Sequence, residues 1–206
     1  MNQIALPLRP GSPGPAQIVL GEANRQVVEA LQAPASWPFG TAVLTGPPRS
    51  GKSLLARWFA RAGQGTDKRQ VIDDAHLLEE AALFHRWNRA QEDGTRLLFV
   101  ASGASWPIKL PDLASRIGAA LQLKIGLPDD ELAGELLLSL AAERGLVLGE
   151  DAAQYLLPRA GRSWAEIERL VAMIDRLSLE RKAPPTLGIW RSALEALYGP
   201  REPRLL

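Results

Sequence analysis

Eight consecutive residues, Gly46-Pro47-Pro48-Arg49-Ser50-Gly51-Lys52-Ser53, have the types and spacing for phosphate chemistry. They fit G-x-x-x-x-G-K-[ST], the P-loop pattern. Glycines let such a loop curl until its backbone N–H groups converge on phosphate oxygens. The following helix adds the partial positive charge of its N-terminus. In this pattern Lys52 reaches the β- and γ-phosphates, and the Ser53 hydroxyl holds Mg²⁺. Leu54 closes the binding segment. The bland alternative is a strand-to-helix turn that uses glycine. Against it stand the apolar run Thr41–Thr45 before the loop and the amphipathic stretch Leu54–Ala62 after it.

A second signal is Gln70-Val71-Ile72-Asp73-Asp74. A strand that ends in carboxylates presents them at the C-terminal edge of a sheet, where ligands bind in open α/β folds. Asp73 would then hold Mg²⁺ through water, and Asp74 would polarise an attacking water. An acidic turn is the other reading. His76, close behind, reads as a partly exposed structural histidine. The run Leu97-Leu98-Phe99-Val100-Ala101 ends at Ser102-Gly103. Ser102 could touch a γ-phosphate or the lytic water, or be a turn residue. Arg116 precedes a further strand; position alone does not separate an arginine that acts on phosphate from a solvated one.

Elements must place these groups. Strands are expected at 41–45, 69–72, 96–101 and 120–125, with helices at 23–32, 52–62, 77–90 and 111–117. Beyond Pro128 the periodicity is helical at 129–145, 150–158, 163–180 and 187–198, punctuated by Pro158 and Pro184-Pro185. The alternation predicts an α/β unit with a parallel sheet, followed by a small all-α unit. Only 21 positions separate Lys52 from Asp73. That leaves about four main strands. Residues 7–15 hold four prolines and two glycines and read as a tether. The division expected is 1–16 peptide and tether, 17–126 nucleotide-binding unit and 127–206 helical unit.

Composition narrows the classes. Net charge is +1 over 206 residues, so no basic character argues for nucleic acid. The six tryptophans read as core and gap fillers. Cysteine is absent, which excludes disulfides and thiolate metal sites. No apolar run is long enough for a membrane span, and the N-terminus has no leader pattern. A cytoplasmic protein is expected.

Taken together, these residues resemble the AAA+ ATPases in their DnaA-related branch, and within it the Hda-type regulators of replication initiation. Asp112-Leu113-Ala114-Ser115-Arg116 is similar to the box that carries an arginine finger, and Asp73-Asp74 to a double-acid Walker B motif. Val19–Asn24 resembles the segment near the adenine, which implies contacts from Ala23 and Asn24. Residues 127–198 look like the AAA+ lid. The initiator's C-terminal DNA-binding domain has no counterpart, so no direct sequence-specific DNA binding is expected. Gln3-Ile4-Ala5-Leu6-Pro7-Leu8 resembles the peptide with which Hda-type proteins bind the sliding clamp: Ile4, Leu6 and Leu8 would enter an apolar groove beside Pro7, and Gln3 would hydrogen-bond. An N-terminal strand packed on the body is the other reading.

The chain departs from the branch where a lid arginine, sensor 2, contacts the phosphates. Glu168 aligns there, with Arg162 and Arg169 nearby as the cationic candidates. The resemblance implies ADP or ATP with Mg²⁺, weak intrinsic turnover, and two partners, DnaA and the β sliding clamp on DNA. The implied activity is stimulation of DnaA-bound ATP hydrolysis, a brake on replication initiation. A homodimer joined through the N-terminal peptides is a further expectation. The alternative is an independent AAA+ ATPase, a remodelling or loading factor.

Overall fold

A computed structural model describes residues 19–63, 67–103 and 106–199. The chain divides into two compact units, Met1–Gly126 and Leu127–Leu206. The first holds α1 (Glu22–Gln32), β1 (Thr41–Thr45), α2 (Lys52–Ala62), β2 (Arg69–Ile72), α3 (Glu80–Glu92), β3 (Arg96–Val100), α4 (Pro111–Ala119) and β4 (Leu121–Lys124). The second holds α5 (Asp130–Glu143), α6 (Glu150–Leu156), α7 (Trp164–Arg181) and α8 (Leu187–Tyr198).

The four strands form one parallel sheet in the order β2-β3-β1-β4. The expected α/β fold with about four strands is therefore the observed one. Strands β1 and β3 are central and buried on both faces, which is why they read as unbroken apolar runs. The edge strands β2 and β4 are less covered, with one buried residue each, Ile72 and Leu123. On one face Val43, Ile72, Leu97 and Phe99 pack with Leu83 and Trp87 of α3 and with Leu113 and Ile117 of α4. The short stretch from α2 to β2 leaves β2 at the sheet edge. Its first residue, Arg69, is turned inward: the guanidinium lies 4.9 Å above the Phe59 ring and 2.6 Å from Asp67. An inward charge discourages pairing of an open edge with another chain.

Element ends differ from the sequence expectation where a side chain caps or a proline intervenes. Helix α3 starts at Glu80 rather than 77, because the Glu79 carboxylate accepts from the N–H groups of Ala81 and Ala82. Helix α6 stops at Leu156, two residues short of the expected 158. Pro158 has no N–H to continue it, and one 3₁₀ turn follows at Leu157–Arg159. Helix α7 opens with a capping box between Ser163 and Glu166.

The helical unit has its own core, centred on Leu137, Leu156, Ile167, Leu170, Val171 and Ile174. Trp37, Trp87, Trp164 and Trp190 are buried, in keeping with core roles. No helix among the described residues is long and apolar enough to cross a membrane.

Helices α3 and α4 are joined at their starts. The Glu80 carboxylate accepts from the backbone N–H groups of Lys109 (3.0 and 3.1 Å) and Leu110 (2.6 Å). These donors hold its pKa below the usual carboxylate range. A depressed folded-state pKa gives stability that is complete above the unfolded-state value and is lost as pH falls through the folded one. Glu80→Gln should therefore lower the melting temperature at pH 7. The gap to the native chain should close as pH drops below the carboxylate range, measured by thermal melts across pH 3–8.

Candidate functional site

The loop between β1 and α2 is built around one carbonyl. Gly46 C=O accepts from Lys52 Nζ at 3.0 Å and from Gly103 N–H at 3.2 Å, which ties together the exits of β1 and β3 and the start of α2. A Cβ on Gly46 would stand 3.0 Å from Ile125 Cβ and 3.2 Å from Ser50 Oγ, closer than ordinary contact, so a side chain here would press on both. Gly51 is the N-cap of α2 at φ 81°, and Arg49 also has a left-handed backbone at φ 65°. Pro47 and Pro48 lie between Gly46 and Arg49.

No side chain caps α2. Its first N–H groups, at Lys52, Ser53 and Leu54, have no partner within the helix. Ser50 Oγ is buried without a hydrogen-bond partner. Orphan donors, a buried hydroxyl and a glycine-lined turn together suit a phosphate oxygen cluster. Lys52 is 7% exposed, and its Nζ also donates to Pro47 C=O at 2.6 Å. Burial pushes its pKa down, while the charges of Asp73 and Asp74 pull it back up.

The strand register places those carboxylates. Ile72 is level with Phe99, and Phe99 with Val43, so Asp73 and Asp74 leave the sheet at the same edge as the loop. They are two strands, about 10 Å, across from β1. Both are exposed. Asp74 has φ 49°, and its N–H donates to Asp73 Oδ1 at 3.0 Å. Between these strands β3 ends, and half-buried Ser102 follows. The Ser102 N–H donates to His76 Nδ1 at 3.4 Å, so His76 links the carboxylate turn to the loop after β3. Among the described residues no group of three or more His, Cys, Asp or Glu could hold a metal. Ser53 and Asp73 suit Mg²⁺, which takes few protein oxygens and keeps its waters.

Other expected site residues sit elsewhere. Asn24 is buried, and its amide is committed locally: Oδ1 accepts from Gly21 N–H and Nδ2 donates to Val19 C=O. It shapes the 19–24 segment. Ala23 C=O accepts from Gly126 N–H at 3.0 Å, fixing that segment against the end of the sheet unit. Arg162 and Arg169 belong to the helical unit. Arg162 pairs with Asp130 at 2.7 Å. Arg169 is exposed on α7 near Glu166. Gln3, Ile4, Leu6, Pro7 and Leu8 lie outside the described residues.

Arg116 is held by three residues of α3 that the sequence reading did not connect with it. Its Cζ lies 4.6 Å from the Phe84 ring centroid and 4.2 Å from the Trp87 ring, and Nη1 donates to Asn88 Oδ1 at 3.0 Å. Spacing of i, i+3 and i+4 on α3 puts the three on one face. That spacing was the available signal. Arg116 lies three residues before the end of α4, and β4 starts beside Ala42, at the sheet edge opposite the loop. It therefore sits away from the loop of its own chain.

No family model matches this chain. It is 28% identical over 118 residues to an uncharacterized protein of Haemophilus influenzae, a match that covers 56% of this chain and 51% of that protein. The chain thus spans about half the length of that relative. Solved structures match more fully. Domain III of the Thermotoga maritima replication initiation protein DnaA superposes with a TM-score of 0.72 at 14% identity, over 89% of this chain and 95% of that one. The Thermotoga maritima RuvB Holliday junction branch migration motor gives 0.64 at 19% identity, over 86% and 70%. A replication initiator DnaA bound to AMPPCP and single-stranded DNA gives 0.62 at 18%, over 80% and 66%. The fold is that of the AAA+ P-loop proteins, in the form seen in DnaA domain III and RuvB.

The packing at Gly46 is testable on the protein alone. Gly46→Ala should destabilise the fold by about 1–3 kcal/mol through overpacking against Ile125, read by urea denaturation.

Proposed function

We propose that this chain is a nucleotide-binding AAA+ regulator of the Hda type, a negative regulator of DNA replication initiation. In this reading the loop amides, Ser50 and Lys52 bind the phosphates of ADP or ATP. Ser53 and Asp73 hold Mg²⁺, which neutralises phosphate charge when bound. Asp74 and Ser102 face the terminal phosphate and its water. The Gln3–Leu8 peptide docks on the DNA-loaded sliding clamp. The sheet unit then presents Arg116 to ATP bound by DnaA, leaving inactive DnaA–ADP.

The observation that carries this reading is the placement of Arg116. It is seated on α3, away from its own loop, with its backbone on a regular helix. A guanidinium fixed by two rings and an amide loses little freedom on meeting an anion. Such an arginine supports action in trans, on nucleotide held by another protein. A second reading, an independent ATPase that remodels or loads its own substrate, draws on the charges of Asp73 and Asp74 converging on Lys52 within one chain. The likeness to the RuvB motor points the same way.

The deciding experiment is hydrolysis of DnaA-bound ATP with this protein, with and without clamp-loaded DNA, beside its own turnover. Clamp-dependent acceleration is expected. Appreciable turnover by this protein alone with no effect on DnaA would favour the independent ATPase. Two variants should separate the roles. Arg116→Ala should bind nucleotide normally by calorimetry yet reduce stimulation about 10³-fold or more. Lys52→Ala should weaken nucleotide binding by about 10- to 100-fold, the loss of charge-assisted hydrogen bonds. Leu6→Asp should remove the clamp dependence and leave nucleotide affinity unchanged.

A further inference from the structure

The support under Arg116 carries no charge of its own. The rings of Phe84 and Trp87 lie 4.6 and 4.2 Å from its Cζ, and Asn88 Oδ1 accepts from its Nη1 at 3.0 Å. Asp112 stands one turn before Arg116 on α4, at the spacing where an acid and an arginine commonly pair. Among the described residues Arg116 nevertheless forms no ion pair. Arg69, Arg162 and Arg176, by contrast, each meet a carboxylate.

Every one of these contacts holds the guanidinium and spares its charge. An aromatic ring attracts a cation through its quadrupole and takes none of its N–H groups. An amide oxygen accepts one hydrogen bond and brings no formal charge. Asn88 therefore engages one N–H of the guanidinium fork and leaves the rest open. Trp87 is buried with its indole N–H unpartnered. A buried donor without an acceptor is unfavourable, so a ring without that donor would pack here at less cost. Indole is, however, the strongest aromatic face for a cation. The face that Trp87 offers Arg116 accounts for an indole at this place. A carboxylate at position 88 would grip Arg116 more tightly than the amide does, and would neutralise it.

We propose that Asn88 and Trp87 are positioning residues: they fix Arg116 with neutral groups alone, which keeps its whole charge for an oxyanion on another molecule, the terminal phosphate of ATP held by DnaA. This rests on the reading of Arg116 as a group that acts in trans. The proposal sets the order of two substitutions. If Asn88 only held α3 against α4, Asn88→Asp would be milder than Asn88→Ala, because aspartate keeps the acceptor oxygen and nearly the same shape. A seat that must stay neutral predicts the reverse. The test is hydrolysis of DnaA-bound ATP with clamp-loaded DNA, at increasing concentrations of this protein, beside a thermal melt of each variant. Asn88→Asp should melt at or above the native temperature, since its carboxylate pairs with Arg116. It should still lower the maximal stimulation by about 10- to 100-fold, the scale of a misplaced catalytic group, and leave the concentration for half-maximal stimulation unchanged. Asn88→Ala should lose less than Asn88→Asp. Trp87→Phe, which keeps a ring and removes the orphan N–H, should retain most of the stimulation. The proposal is overturned if Arg116→Ala is inactive while Asn88→Asp stimulates as well as Asn88→Ala or better. If the native chain gives no stimulation, or Arg116→Ala stimulates as the native chain does, the reading of Arg116 itself fails and the proposal falls with it.

Discussion

One backbone carbonyl, that of Gly46, organises the loop between β1 and α2. It accepts from Lys52 Nζ and from Gly103 N–H, and its residue lies against Ile125. Through it the ends of β1, β3 and β4 and the start of α2 are held together. The arrangement favours glycine because a methyl group would press on Ile125 and Ser50. It also explains why Lys52 is buried on a polar loop: its charge is satisfied by loop carbonyls and by the nearby Asp73 and Asp74 charges. A parallel sheet makes this economical, since all strands exit at one edge and each exit loop can contribute a group.

The opposite face of the sheet unit depends on a different constraint. Glu80 takes the amides of Lys109 and Leu110, just before α4, and so ties the start of α4 to the start of α3. With their starts tied, residues several places along each helix come side by side. Arg116 thereby meets Phe84, Trp87 and Asn88. Trp87 is both a core residue and part of the guanidinium seat, with its indole N–H buried and without a partner. The expected arginine thus has a rigid support drawn from the core itself. Arg116 and the glycine-rich loop sit apart on one sheet, each fixed by its own carboxylate or carbonyl.

The helical unit follows ordinary rules of packing and capping, and the departures are at its surface. Its core is largely aliphatic, and α5 and α7 start on the side-chain caps Asp129 and Ser163. Arg162, considered from sequence as a phosphate contact, is engaged with Asp130 on α5. Exposed ion pairs of this kind contribute little, on the order of 0–1 kcal/mol, so the bond is easily exchanged for another anion.

Much of this protein is legible in its sequence because much of it is local. The P-loop is a contiguous pattern, β1 and β3 are unbroken apolar runs, and the helix ends carry Ser163, Asp129 and Pro158 as readable signals. Asp73 and Asp74 could be assigned to a strand end for the same reason. What the sequence left open involves contacts between elements. The seat of Arg116 joins residues 28 to 32 positions apart, and the bonds from Glu80 span 29 and 30 positions. A small cleft in the helical unit gathers Tyr155 and Tyr198 from α6 and α8. Helical periodicity assigns each of these side chains to a face, but only the packing of one helix on another selects its neighbour. Sequence by itself determined the glycine-rich loop, the strands and the helices; tertiary structure decided which of their side chains meet, because register and helix contact are set by the whole core.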